Sequence, residues 1–162
     1  MSAPQRLLFV CLGNICRSPA AEGVFLHLLA REGLEQAFQV DSAGTGGWHR
    51  GQPADARMRA SAARRGITLA SRARQIETAD LLRFDRILTM DDANLAEVRK
   101  LARGVEHRAR IEPITRYGCR PEITEVPDPY YGGPGGFEQV LDLLDEACAG
   151  LLKHLLSDSP AH

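Results

Sequence analysis

Apolar residues along this chain fall into two recurring patterns: short unbroken runs, and longer stretches in which apolar positions return every three or four residues. Residues 7–10 form a continuous apolar run that stops at Cys11, as expected of a strand covered on both faces. Gly13 and Asn14 break the pattern. Ser18 followed by Pro19 then gives a helix-start signal, an N-cap and a first-turn proline, and Ala21, Val24, Phe25 and Leu28 follow at helical spacing. Residues 38–43 predict a second strand and 44–51 a glycine-rich loop. The next helix spans about 55–65 and ends at Gly66, which suits the left-handed position after a helix. Residues 86–90 read as a third buried strand. Asp91 or Asp92 is placed to cap a helix whose Leu95, Val98 and Leu101 share one face before Gly104. Residues 111–114 are a weaker strand, interrupted by Pro113, and 121–136 an ordered loop rich in Pro and Gly. The last helix has the clearest stripe: Phe137, Val140, Leu141, Leu144, Cys148, Leu151, Leu152 and Leu155.

Strands alternate with helices four times, which predicts an α/β architecture built on a parallel sheet. Ligands of such sheets bind beyond the carboxyl ends of the strands, and Cys11 stands at one. The length of 162 residues fits a single domain over 1–162, with 157–162 as a loose tail. A net charge of −1 argues against a nucleic-acid partner. All the basic residues except Lys100 and Lys153 are arginine, and their cluster over 57–74 reads as a solvated helix surface. No apolar run approaches the ~20 residues needed to cross a bilayer, and no small-residue cleavage pattern follows the apolar start, so no membrane insertion is expected. Four cysteines without CxxC or HxxxH pairing make neither a secreted disulfide framework nor a zinc site. The expectation is a soluble cytoplasmic protein needing no metal or cofactor.

The segment that carries chemistry joins the first strand to the first helix: Cys11-Leu12-Gly13-Asn14-Ile15-Cys16-Arg17-Ser18-Pro19. Its backbone N–H groups can converge on a tetrahedral anion, with the helix N-terminus adding positive potential. Arg17 offers a planar fork for two phosphate oxygens. A cysteine inside such a cradle is favoured as thiolate, the nucleophilic form. No GxxxxGK[ST] occurs, so this is not the phosphate loop of nucleotide hydrolases; a cysteine in that place points to covalent catalysis.

This loop resembles that of the low-molecular-weight protein tyrosine phosphatases. The resemblance extends along the chain through Asp41-Ser42-Ala43-Gly44-Thr45, Gly51-Gln52-Pro53-Ala54-Asp55, Ala73-Arg74-Gln75 and Asp128-Pro129-Tyr130-Tyr131-Gly132-Gly133. It implies a four-stranded parallel sheet with helices on both faces, flavodoxin-like. It also implies a hydrolase of phosphotyrosine in proteins, with phosphate or vanadate as site ligands. Cys11 would be the nucleophile, Arg17 the phosphate-binding residue and Asp128 the general acid, within a loop of Leu12, Gly13, Asn14, Ile15, Cys16 and Ser18. Asn14 would brace that loop and Ser18 would hydrogen-bond the cysteine sulfur. Where the family has a histidine in this network, the sequence has Ser71. Trp48, Tyr130 and Tyr131 are the expected walls of the substrate cleft. Asp41 and Arg74 resemble a buried structural ion pair, Asp91 and Asp92 read as caps, and Cys119 and Cys148 as structural.

Three other functions fit parts of the pattern. An arsenate reductase on this fold needs two further cysteines, which the family places near 80–90, where the chain has none. Relatives that dephosphorylate arginine put threonine where Ile15 stands. A non-catalytic phosphotyrosine-binding module would be expected to lose Cys11, Arg17 or Asp128, and all three are present.

Overall fold

The computed structural model describes residues 3–133 and 135–157; the tail expected at the C-terminus lies outside them apart from Ser157. Four parallel strands stand in the order β2-β1-β3-β4: β1 Gln5–Cys11, β2 Phe38–Gly44, β3 Arg86–Thr89 and β4 Arg110–Pro113. Helices cover both faces, and strand alternation decides which side chains meet which helix. Leu7 and Phe9 join the core under α1 (Arg17–Glu32) and α5 (Gly135–Ser157). Leu8 and Val10 join the second core, with Leu81 of the one-turn α3 (Asp80–Arg83) and Val98 of α4 (Asp92–Ala102). The apolar run in β1 is thus unbroken because both faces are covered. Every residue of the predicted α5 stripe is buried.

Three local expectations need correction. α1 begins at Arg17, and Cys16 occupies the N-cap position without a side-chain cap bond. Ser18 is therefore inside the first turn, and its hydroxyl is engaged by Cys11, Asn14 and the Ala43 carbonyl instead of capping. The helix expected over 55–65 is α2, Ala56–Ala63, capped by the Asp55 side chain accepting from Arg57 N. It ends early because Arg65 N and Gly66 N turn back to carbonyls three residues behind, with Gly66 at φ 76°. Cys119 is exposed, whereas Cys148 is buried and its thiol donates to the Ala21 carbonyl at 3.8 Å. The one-turn α3 is too short to leave an apolar period and has no counterpart in the sequence pattern.

The arginine cluster is not simply solvated. Arg65 reaches across to α5, meeting Glu138 at 2.8 Å, Asp142 at 2.9 Å and Asp145 at 3.0 Å, while Arg64 meets Glu138 at 2.9 Å. These bonds seat α2 on α5. Among the described residues, no helix is long and apolar enough to cross a membrane.

The Arg65 hydrogen bond, followed by those of Ser61 and Arg64, holds the Glu138 carboxyl down at about 2. A depressed folded-state value stabilises the protein above the ordinary 4.5 and loses that contribution as pH falls towards 2. Arg65→Ala should therefore lower Tm by a few degrees at neutral pH, and the gap from wild type should narrow through the acid range. A gap that is constant with pH would show that the pairing does not stabilise the α2–α5 contact.

Candidate active site

The loop between β1 and α1 closes around a cavity of about 340 Å³ lined by Cys11, Gly13, Arg17, Trp48, Asp128 and Tyr130, among others. The curl depends on Asn14, the one described non-glycine residue with positive φ, at 57°. Its side chain donates to Ser18 Oγ at 2.8 Å and to Ser42 Oγ at 3.0 Å, and accepts from Arg74 N at 3.0 Å. Ser18 Oγ lies 3.0 Å from Cys11 Sγ. Behind Ser42 stands Glu22, which accepts from its hydroxyl at 2.6 Å. Ser71 also hydrogen-bonds Glu22. Burial pushes the Glu22 carboxyl above its ordinary range, opposed by the bonds from Ser42 and Ser71. Asn14 is therefore braced from three sides without a histidine.

The loop backbone is anchored by its carbonyls. Thr45 N donates to Cys11 O at 2.9 Å, Gly46 N to Leu12 O at 2.9 Å and Asp55 N to Ile15 O at 2.8 Å. Gly44 permits the close approach, since a Cβ there would stand 2.7 Å from Leu12 O and 3.0 Å from Asn14 N. By contrast, among the described residues no protein acceptor takes the backbone N–H of residues 12–17. Six consecutive donors at the N-terminus of a 16-residue helix make a strong anion site.

Arg17 is buried and supported from beneath. Its Nη1 donates to Asp91 Oδ2 at 2.6 Å and to the Val126 carbonyl at 3.0 Å, which leaves the Nε–Nη2 edge for an anion. Asp91 is more than a cap: the same carboxylate also accepts from Asn94 N in the capping box of α4. Asp128 Oδ2 lies 3.6 Å from Arg17 Nη2, and Asp128 Oδ1 accepts from Tyr130 N at 3.0 Å. Cys16 is buried, and burial first, then the charges of Asp55, Cys11 and Asp128, push its thiol up to about 12.

Trp48, Tyr130 and Tyr131 all line the cavity. Trp48 is 69% exposed and lies against Gly46; Tyr131 is 93% exposed and packs edge-on to Tyr130, with ring centroids 4.9 Å apart. His49 lines the same cavity and packs over Gly13, its Nδ1 paired with Gln52 Oε1 at 2.9 Å. Nothing in the sequence marks His49, since a lone histidine in a loop has no period or partner to single it out. The expected Asp41–Arg74 pair forms at 3.0 Å but is only half-buried; the buried acid is Asp80, also 3.0 Å from Arg74. Asp80 supports Arg74 from α3, the element that the apolar pattern could not disclose.

Residues 6–161 match the family model described as low molecular weight phosphotyrosine protein phosphatase. The low molecular weight protein-tyrosine-phosphatase YfkJ of Bacillus subtilis is 43% identical over 147 residues, covering 90% of this chain and 92% of that protein. Its crystal structure matches with a TM-score of 0.89 over 98% of this chain and 99% of that one. The human low molecular weight phosphotyrosine protein phosphatase is 39% identical over 152 residues, 93% of this chain and 96% of that protein. A Drosophila arginine phosphatase structure is 35% identical with a TM-score of 0.89, covering 94% of this chain and 99% of its own.

Asn14 combines backbone strain with hydrogen bonding, and two substitutions separate them. Asn14→Ala should cost about 4 kcal/mol in denaturant unfolding, from three hydrogen bonds worth roughly 1 kcal/mol each and a left-handed penalty of ~1 kcal/mol. Asn14→Gly should recover only the latter, because glycine tolerates positive φ. Equal losses would mean that the conformation at 14 contributes nothing beyond its side-chain bonds.

Proposed function

This chain belongs to the low molecular weight phosphotyrosine protein phosphatases, and we propose that it hydrolyses phosphotyrosine in proteins through a phosphocysteine formed on Cys11. The observation that carries this reading is the meeting of Cys11, the open edge of Arg17 and Asp128 in one cavity, on a loop whose six backbone N–H groups take no protein acceptor. The phosphate dianion sits in the amide cradle, where Arg17 spans two of its oxygens. Phosphate itself, or vanadate, fits the same cradle. The Cys11 thiolate, with Ser18 donating to its sulfur, attacks phosphorus in line with the tyrosine oxygen. The P–O bond breaks, its electron pair goes to that oxygen, and Asp128 supplies the proton the phenolate needs. Water then attacks the phosphocysteine, Asp128 takes a proton from it, and the S–P bond breaks to return the thiolate and inorganic phosphate. Trp48, Tyr130 and Tyr131 would flank the substrate ring. Residues 1–162 act as one phosphatase domain, and a thiolate nucleophile suits the reducing cytoplasm.

Phosphoarginine is the second substrate to weigh, because a Drosophila arginine phosphatase shares this fold at 35% identity. The aromatic walls and the apolar Ile15 beside the cradle favour a phenyl ring over a guanidinium. Arsenate reduction is disfavoured: Cys148 is wholly buried, and burial pushes its thiol far up. Peptides carrying phosphotyrosine and phosphoarginine should be compared by kcat/KM. The expected preference is for phosphotyrosine, and the reverse order overturns the substrate assignment. Cys11→Ser should abolish turnover of either while still binding vanadate, because the amides and Arg17 remain. A variant that keeps a tenth of the wild-type rate excludes the covalent route.

Cys16 gives the site a route out of oxidative damage. The Cys11 thiolate attacks hydrogen peroxide, the O–O bond breaks to give the sulfenic acid, and the departing hydroxide takes up a solvent proton as water; Cys16 then condenses with the sulfenic acid, releasing a second water and leaving a Cys11–Cys16 disulfide. Held neutral by burial, Cys16 does not compete for the oxidant. Peroxide should inactivate the wild type reversibly, with dithiothreitol restoring it and phosphate slowing the loss. Cys16→Ser should begin active and recover little. Full recovery of that variant, with no linked peptide seen by mass spectrometry, excludes the protective role.

A further inference from the structure

Arg57 is not among the residues lining the cavity and bonds to neither Cys11, Arg17 nor Asp128, yet it joins the two loops that carry them. Its guanidinium makes a two-point pair with Asp55, Nε to Oδ1 at 3.1 Å and Nη2 to Oδ2 at 2.9 Å. Asp55 is itself fixed to the phosphate loop, since its N–H donates to the Ile15 carbonyl at 2.8 Å. The Arg57 hydrogen bond holds the Asp55 carboxyl below its ordinary range. On the other side, Arg57 Nη2 donates to the Tyr130 carbonyl at 3.2 Å. The same guanidinium lies over the Tyr130 ring at 5.3 Å and the Phe137 ring at 4.8 Å. Tyr130 N is in turn the donor that orients Asp128. One path of bonds therefore runs from Ile15 through Asp55, Arg57 and Tyr130 to the Asp128 carboxylate.

We propose that Arg57 is a positioning residue that sets the loop bearing Asp128 and Tyr130 in register with the phosphate loop. Asp128 needs such help. It lies on a segment with no regular secondary structure, its side chain is 39% exposed, and its distance of 3.6 Å to Arg17 is too long for a hydrogen bond. The backbone of 127–133 is tethered at one end by Val126 N donating to the Met90 carbonyl at 2.7 Å. Arg57 supplies the second tether, four residues further on. Lysine cannot replace it: an ammonium keeps the charge beneath the rings but cannot span both Asp55 oxygens in a fixed plane while reaching the Tyr130 carbonyl.

The inference rests on Asp128 as the general acid, and leaving-group dependence separates the two. The kcat/KM of wild type, Arg57→Ala, Arg57→Lys and Asp128→Asn is measured on phenyl phosphate and on p-nitrophenyl phosphate, whose more acidic phenol needs less protonation. Loss of the Tyr130 wall would weaken both substrates alike, whereas misplacement of the acid weakens phenyl phosphate selectively. Arg57→Ala should lose about tenfold more on phenyl phosphate than on p-nitrophenyl phosphate, a part of the 10²–10⁴ a positioned acid supplies. Arg57→Lys should restore little of that ratio, and Asp128→Asn should show the full effect. Arg57 is half-exposed, so both Arg57 variants are expected to fold, with Tm and vanadate affinity close to wild type as the check. A selective loss in Asp128→Asn but equal losses in Arg57→Ala overturns the positioning role alone. Equal losses in Asp128→Asn overturn the acid assignment and the positioning role with it.

Discussion

Asn14 in its left-handed conformation is the constraint on which the site depends. A loop whose six consecutive backbone N–H groups take no protein acceptor cannot be held through them, so something else must hold its shape. The loop solves this by hydrogen-bonding with its carbonyls and side chains and leaving its donors open. Asn14 does most of this: it holds Ser18 on one side, Ser42 on the other and the backbone of Arg74 below. Its bonds run to three separate segments, which makes the cradle a property of the whole sheet end and not of the loop alone. Because both Asn14 amide hydrogens are used on hydroxyls, Ser42 is left to donate to Glu22, and Ser18 keeps its one proton for the Ala43 carbonyl or the Cys11 sulfur, 3.3 Å and 3.0 Å away.

Burying an arginine beneath this cradle is costly unless its charge is met. Asp91 meets it at 2.6 Å, and Val126 offers a carbonyl at 3.0 Å. These two supports come from the ends of β3 and of the segment after the 3-10 turn Ile114–Tyr117, so Arg17 also fastens the α4 cap and the acid-bearing loop to the β1–α1 junction. Charge placement and loop placement are then one arrangement. The parallel sheet makes this economical, because every element concerned begins at a strand's carboxyl end.

Such cross-chain support decides what was legible in the sequence. Cys11, Arg17 and the loop between them could be read because strand, turn and helix signals sit within a dozen residues. The core was legible for a related reason: the α5 stripe and the unbroken run in β1 are local patterns that encode burial directly. Asp128 was legible only through the family motif, since Asp-Pro by itself marks a turn. The supporting residues were not legible. Asp91 reads as a cap and is one, but nothing near it announces Arg17, 74 residues away. Glu22 looks like a surface position on an amphipathic helix, and only the approach of Ser42 and Ser71 makes it a buried one. Arg57 reads as one more charge on a solvated helix, and its partner Tyr130 is 73 residues away. Ser18 was misplaced for the converse reason: its local signal is that of a cap, and the tertiary site claims its hydroxyl.

Three acids that contact the loop, Asp55, Asp91 and Asp128, illustrate how one residue type is divided among roles. Asp55 is locked as a carboxylate by the fork of Arg57 and spends its oxygens on α2. Asp91 is engaged by Arg17 through one oxygen and by the Asn94 N–H through the other. Neither has an oxygen free to exchange a proton with a ligand. Asp128 accepts one hydrogen bond, from Tyr130 N at Oδ1, and stands off Arg17 at 3.6 Å through Oδ2. Its second oxygen accepts no hydrogen bond among the described residues and meets only the long ion pair with Arg17. Asp128 is thus the least engaged of the three, and the loop that carries it is fixed from outside the cavity, through Tyr130 and Arg57. That division matches the proposed role of Asp128, since an acid that must exchange a proton with a ligand needs an oxygen the protein has left open.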